Sequence, residues 1–382
     1  MGGELRDTGK QMRKSSLRWP QVHAFRLRRH HFTDPADLGV VCTDVCGIHA
    51  QVMSAAHIAL WARLHHLTRE EIRSALLDTR ILVRTSVMRQ TLHLLAAADF
   101  PIYITALKRS RAAAIFHIMS RFGIQQREAD QLNESVVRAL ADGPLTQQEL
   151  ARIVKPTLGR NMRAWADRVF SILRLAIVEG LICYGQEQGS QATFVRVDQW
   201  LPKQRRIAEG DAQQTLLRRY LRAYGPARIP DFAKWTGFPM PEAKAVWTGF
   251  QDEMLEVDIE GEPGWILRED LAALKEGGDR QAVVRLAPSF DPYMLGHVNK
   301  DHLFDAVHYK KVFRSAWWIS PVVLLNGRVA GIWSSRRQGR KLSIEIETLE
   351  KLTKSVRAII GAEAEGLAKF LNQEATIRFT AG

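Results

Sequence analysis

Residues 143–197 read GPLTQQELARIVKPTLGRNMRAWADRVFSILRLAIVEGLICYGQEQGSQATFVRV, and the periods in this stretch decide the fold. Thr146, with Glu149 three residues on, is a capping-box pattern that starts the short helix QQELARIV. The segment RAWADRVFSILRLAIVEG then sets Trp165, Val169, Ile172, Leu173 and Ala176 on one side at helical spacing. Gly180 ends it as a C-cap. Two strand-like runs follow, LICYG and TFVRV, joined by the polar loop QEQGSQA. Helix, helix, hairpin is the order of a winged helix-turn-helix.

The same order recurs on both sides. Upstream, WPQVHAFRLRRHHF, SAAHIALWARL and REEIRSALLDT read as helices, and ILVRTSVM and TLHLL as a hairpin. Downstream, DAQQTLLRRYLRAYG is a helix stopped at Gly225-Pro226, and IPDFAKWTG and PEAKAVWTGFQDEM are two more. MLEVDIEGEPGWIL is a hairpin turning at Glu260-Gly261-Glu262-Pro263-Gly264. The stretches share an order of elements rather than a period, which predicts tandem winged helices. Beyond Arg280 the runs AVVRLAP, SPVVLLNG, RVAGIWSS and KLSIEIE are strands, with Asn326-Gly327 a two-residue hairpin turn. A helix within TLEKLTKSVRAIIGAEAEGLAKFLN and a strand, ATIRFTA, close the chain, and this tail reads as a small β-barrel or sandwich with the helix packed on it. The prediction is an α+β protein with winged helices in 1–100, 101–205 and 206–280 and a β-barrel-like domain in 281–382.

Charge indicates the partner. Lys plus Arg number 54 against 41 acids, a formal charge of +13, which favours a polyanion such as nucleic acid. Residues 1–36 carry eight Lys/Arg against three acids, and residues 310–341 carry eight and no acid. Arg336, Arg337, Arg340 and Lys341 surround a candidate turn at Gln338-Gly339, a basic hairpin tip suited to a phosphate backbone or a groove. There is no run of about 18 apolar residues for a membrane span, and the polar, basic N-terminus lacks the apolar core of a secretory signal. Three cysteines, Cys42, Cys46 and Cys183, predict a reducing compartment, here a cytoplasm with the protein on nucleoid DNA. Cys42, Cys46 and His49 are too few for a structural zinc site, so no metal and no cofactor is expected.

The segment Gly47-Ile48-His49-Ala50-Gln51-Val52-Met53-Ser54-Ala55-Ala56, followed by IALWARL, resembles the catalytic segment of the AlkZ/YcaQ family of bacterial winged-helix DNA glycosylases. RLRRHHF, MRQTLHLL, SFDPYMLGH and WISPVVLLNGRVAGIW resemble further family segments in the same order. His49 stands where the commoner family pattern has glutamine, and Gln90 where it has glycine. The resemblance implies excision of alkylated bases from double-stranded DNA, with Gln51 positioning the nucleophilic water.

In extended backbone His49 and Gln51 face one side. Alkylation at N7 or N3 already makes a purine a cationic leaving group, so a strong acid is not needed. The remaining work is to stabilise an oxocarbenium-like sugar and to place water. An imidazole either takes the proton of that water or only hydrogen-bonds water or backbone. Apart from the resemblance, His49 reads as a satisfied core histidine beside Cys46. Arg89, Thr91 and His93 alternate on the predicted wing, with Arg89 directed at phosphate or at a cross-strand partner. Asp291 reads as a loop cap rather than a catalytic carboxylate, and Trp317-Trp318 as barrel core rather than a base-stacking platform. No lysine adjoins the triplet to make a Schiff base, so a lyase is not expected. A dimeric regulator or a protein that sequesters damaged DNA are the rival readings; a monomer is expected of tandem DNA-binding units.

Overall fold

The computed structural model describes residues 16–64, 66–167, 171–277 and 281–381. The N-terminal segment contains α1 (Trp19–Arg29), α2 (Leu38–Asp44), β1 (Ile48–His49), α3 (Met53–Trp61), α4 (Arg69–Leu77), β2 (Leu82–Ser86) and β3 (Leu92–Ala96). Thr68 and Glu71 form the capping box of α4. β2 and β3 make the expected antiparallel hairpin, and β1 pairs with the other edge of β3. Residues 1–15, which carry part of the N-terminal basic run, lie outside the described residues.

The second segment contains α5 (Phe100–Ser120), α6 (Gln126–Ala139), β4 (Leu145–Thr146), α7 (Gln147–Val154), α8 (Arg160–Ala166), α9 (Ser171–Val178), β5 (Ile182–Tyr184) and β6 (Thr193–Arg196). The Thr146 hydroxyl accepts from Glu149 N at 3.3 Å, and Glu149 Oε2 accepts from Thr146 N at 2.8 Å, as the spacing predicts. Trp165, Ile172, Leu173 and Ala176 are buried together; Val169 lies outside the described residues. The sequence did not announce α5 and α6. In α5, Tyr103, Ile104 and Leu107 enter one core while Ile115 and Met119 enter another, so no single stripe marks it.

The third segment contains α10 (Glu209–Tyr224), α11 (Ile229–Thr236), α12 (Met240–Thr248), β7 (Met254–Ile259) and β8 (Glu262–Leu267). Its hairpin turns tighter than expected. Ile259 pairs with Glu262, leaving Glu260 (φ 52°) and Gly261 (φ 93°) as a two-residue turn with both φ positive. Ser16–Leu17 adds parallel to β7.

The C-terminal segment contains β9 (Val284–Ala287), α13 (Pro292–Leu295), β10 (Val322–Leu325), β11 (Arg328–Gln338), β12 (Lys341–Thr348), α14 (Lys354–Phe370) and β13 (Glu374–Ala381). The sheet order is β9-β10-β11-β12-β13, so β9 and β13 stand at opposite edges and the sheet is open, not the expected barrel. The reason is α14. It makes the crossover that leaves β13 parallel to β12, and its buried side chains Ile360, Ala364 and Leu367 share a core with sheet residues Leu286 and Ile344. A sheet face covered by a helix has its apolar side chains buried without closure.

The segments do not each keep a private core. β2 pairs with β5 at Arg84 and Tyr184, so the first two segments share a six-stranded sheet. One core joins Cys46 and Leu95 to Leu107, Tyr220, Tyr224 and Trp235; another joins Leu60 and Leu94 to the C-terminal sheet. The segment containing β1 is thereby wedged between the third and the fourth.

Candidate active site

β1 is set by a turn. Cys46 (φ 62°) and Gly47 (φ 90°) both adopt left-handed backbone, and Gly47 N donates to Cys42 O at 2.8 Å. A Cβ on residue 47 would fall 2.6 Å from Leu95 Cδ2 and 3.3 Å from Leu94 O, so only glycine fits against β3. Cys42 and Cys46 are buried free thiols, each pushed up to about 12 by burial, which keeps them protonated and inert. Among the described residues no three His, Cys, Asp or Glu side chains come together as metal ligands.

From this turn His49 enters extended backbone opposite His93. Only 8% of His49 is exposed; its ring stacks on Phe290 (centroids 4.9 Å apart, 25° between planes) and meets His93 edge-on at 5.4 Å. Burial, then the Arg89 charge, lowers its pKa to about 4, so the imidazole is neutral at physiological pH and one nitrogen is free to accept a proton. Burial, with the charges of His49 and Arg89, holds His93 well below the ordinary value as well. Gln51 is exposed just before α3, with its Oε1 accepting from Leu92 N at 3.5 Å.

His49 lines a groove of about 1230 Å³, whose other described walls come from Arg89 to Thr91, α11, and residues 290–319. Arg89, Arg111, Lys234, Lys300 and Arg314 line it, and among the described residues no carboxylate does. Gln51 is not among its lining residues. The strand ends at His49 and Gln51 lies in a bend, so His49 points inward while Gln51 is exposed to solvent, and the two do not share one side as an extended triplet would have them.

The alternation read through Arg89, Thr91 and His93 is broken. Arg89 (φ 53°) and Gln90 (φ 60°) are left-handed in a short 3-10 turn, Met88–Gln90. Arg89 and Thr91 nonetheless reach the groove. The Arg89 guanidinium donates to Trp235 O at the end of α11, and burial lowers its pKa to about 10, still cationic at neutral pH.

Arg336, Arg337, Arg340 and Lys341 are exposed at the tip of the β11–β12 hairpin, where Gln338 pairs with Lys341 across Gly339-Arg340. Among the described residues no acid pairs with any of the four, and none of them lines the groove.

Other groove residues were not legible in the sequence. Phe290, which carries His49, precedes Asp291. That carboxylate is fully buried in a two-pronged pair with Arg63 (Nη1–Oδ2 2.8 Å, Nη2–Oδ1 2.7 Å) and caps Tyr293 N at 2.9 Å. Asp291 is thus the loop cap the sequence suggested, its carboxylate held by Arg63 out of contact with solvent. Trp317 and Trp318, expected in the core, are 87% and 42% exposed on the groove. Lys300 and Lys234, far from the triplet in sequence, also reach it. Burial lowers Lys300 to about 7, and its Nζ is committed to Met294 O (2.7 Å) and His297 O.

The family model "DNA glycosylase AlkZ-like" matches residues 43–370. A Streptomyces sahachiroi protein named interstrand DNA cross-link repair glycosylase is 31% identical over 328 residues, covering 82% of this chain and 87% of that one. The solved structure of the Streptomyces sahachiroi DNA glycosylase AlkZ superposes with a TM-score of 0.82 at 26% identity, covering 96% of this chain and all of the other. The match spans β1, the groove walls and the hairpin, and the chain belongs to the AlkZ-like family of DNA glycosylases.

Proposed function

We propose that this glycosylase hydrolyses the N-glycosidic bond of cationic N7- or N3-alkylated purines in double-stranded DNA, with His49 and Gln51 acting on the attacking water. The groove carries this assignment: a neutral imidazole lies in a cationic groove that, among the described residues, no carboxylate lines. A leaving base that already bears a positive charge needs no carboxylic acid to protonate it. What it needs is a placed water and an acceptor for the proton that water loses. His49 is that acceptor, and Gln51 positions the water from the exposed side of the triplet. The cationic lining draws in the phosphates flanking the lesion, with Arg89 nearest His49 in charge coupling.

Three winged helices, in 1–100, 101–205 and 206–280, present this groove to the duplex, and the C-terminal segment 281–382 lends Phe290 and the hairpin. Arg336, Arg337, Arg340 and Lys341 bear on the DNA backbone. The relative named for interstrand cross-link repair extends the substrate range proposed here to bulky and cross-linked purines. The groove is open enough to hold such a base without extruding it into a tight pocket. The protein works as a monomer on nucleoid DNA in the cytoplasm; among the described residues no helix is long and apolar enough to cross a membrane.

The test is a duplex with one N7-methylguanine or one bulkier N7 adduct, incubated with wild type, His49→Ala and Gln51→Ala. Alkali then cleaves the abasic sites. Strand cleavage that both substitutions suppress is the expected result. No release from either lesion by the wild type would leave only DNA binding.

A further inference from the structure

We propose that Tyr309, Trp317 and Trp318 form a stacking wall for the planar aromatic portion of a bulky N7-linked purine adduct, and so set which lesions this enzyme prefers. This rests on the glycosylase assignment above and narrows its substrate class.

The wall is an apolar surface that folding leaves uncovered. Trp317 is 87%, Tyr309 49% and Trp318 42% exposed, and Val298 and Met240 are about half exposed. All five line the groove that holds His49. Large exposed apolar side chains gathered in one groove mark a binding surface, whereas scattered single ones do not. Trp317 also takes a left-handed backbone, φ 61°, which a bulky side chain rarely adopts unless its surroundings impose it. The short 3-10 turn Ser315–Trp317 holds it there, with Arg314 N donating to Trp318 O at 2.8 Å.

Ring contacts join the wall to the reaction centre. Trp318 meets Phe290 edge-on at 5.1 Å, and Phe290 stacks on His49 at 4.9 Å. A group on the wall is therefore held beside the imidazole rather than at a remote site. Its chemistry follows from the lining. Aromatic faces take planar π systems. Lys234, whose ammonium lies 5.7 Å from the Trp317 ring, and Arg314 flank the wall with positive charge suited to the phosphates that accompany it. With no carboxylate among the described lining residues, a cationic peptide finds no partner among them. The volume, about 1230 Å³, exceeds the roughly 300–1,000 Å³ that drug-sized ligands fill. It suits an adduct with its aromatic appendage better than a lone flipped base.

Two duplexes decide it, one with N7-methylguanine and one with an N7-guanine adduct carrying a naphthalene ring. Single-turnover kcat/KM is measured for wild type, Trp317→Ala, Trp318→Ala and Trp318→Phe, with thermal melts to show that each is folded. Binding of both uncleaved duplexes is read by anisotropy. For each alanine variant we expect the ratio of the naphthyl to the methyl substrate to fall about 5- to 150-fold, the ordinary size of aromatic stacking. Trp318→Phe should keep most of it. Equal losses on both substrates would make the wall a general DNA contact and overturn the proposal, as would no loss on either. If the wild type releases neither base, the glycosylase assignment fails. The binding preference for the naphthyl duplex, and its loss in the alanine variants, then still decides the stacking. Self-association of the wild type that Trp317→Ala abolishes, without any lesion preference, would reassign the wall to a protein contact.

Discussion

The hairpin tip and the floor of the groove are the two regions through which we propose that this protein meets DNA. At the tip, Arg336, Arg337, Arg340 and Lys341 are neighbours in sequence, exposed, and unpaired with acids among the described residues. At the floor, His49 is buried and uncharged, stacked on a ring from residue 290 and coupled to Arg89, which α11 holds. Attraction to phosphate needs only charge at a surface, which a local run provides. Activating water needs an acceptor that carries no proton and is fixed in position, and burial by distant segments supplies both.

The contrast is most exposed to failure at His49. Replacing it with alanine should slow base release about 10²–10⁴-fold in single-turnover assays if it is the proton acceptor. A loss under tenfold would reduce it to a packing residue. The floor also predicts the pH dependence. Because the pKa is lowered to about 4, His49 is already neutral through the physiological range, and the rate should be flat from pH ~5.5 to ~8.5, falling only as pH approaches 4. An inflection near 6.5 would mean that the ring is solvated when DNA binds.

The support beneath the floor comes next. Asp291→Ala strands the buried Arg63 guanidinium, which should cost about 3–5 kcal/mol in a urea melt. A loss near zero would show that water reaches that pair. Base release should fall too, through displacement of Phe290. Changes at the tip should be the smallest. Arg336→Ala, Arg337→Ala or Arg340→Ala should each reduce the salt slope of DNA binding by about 1 and leave the rate at saturating enzyme nearly as it was. A tip variant that slowed saturated turnover as much as His49→Ala would erase the distinction between the two regions.

Much of this was legible in the chain. The Thr146/Glu149 box, the Asn326-Gly327 turn and the basic tip are local devices, and each appears where its residues predict. The triplet was legible by its resemblance, but only Ile48–His49 is extended, and Gln51 falls in a bend that takes it off the side His49 faces. Three readings failed where a side chain's surroundings come from far along the chain. Arg89 and Gln90 take left-handed backbone because their segment turns against α11. Trp317 and Trp318 face a groove that Lys234 and Met240 complete, rather than a core. The C-terminal sheet stays open because α14 covers it.

By itself, then, the sequence determined the α+β order of elements, the cationic charge and the identity of the candidate reacting groups. Periodicity, capping and charge act within a few residues, and their free energies do not depend on the rest of the fold. Only the tertiary structure decided that His49 is neutral and Gln51 exposed, that Asp291 is locked to Arg63, and that the wall of rings is bare. Those are matters of burial, and burial is a property of the surfaces that come together, not of the residue that is covered.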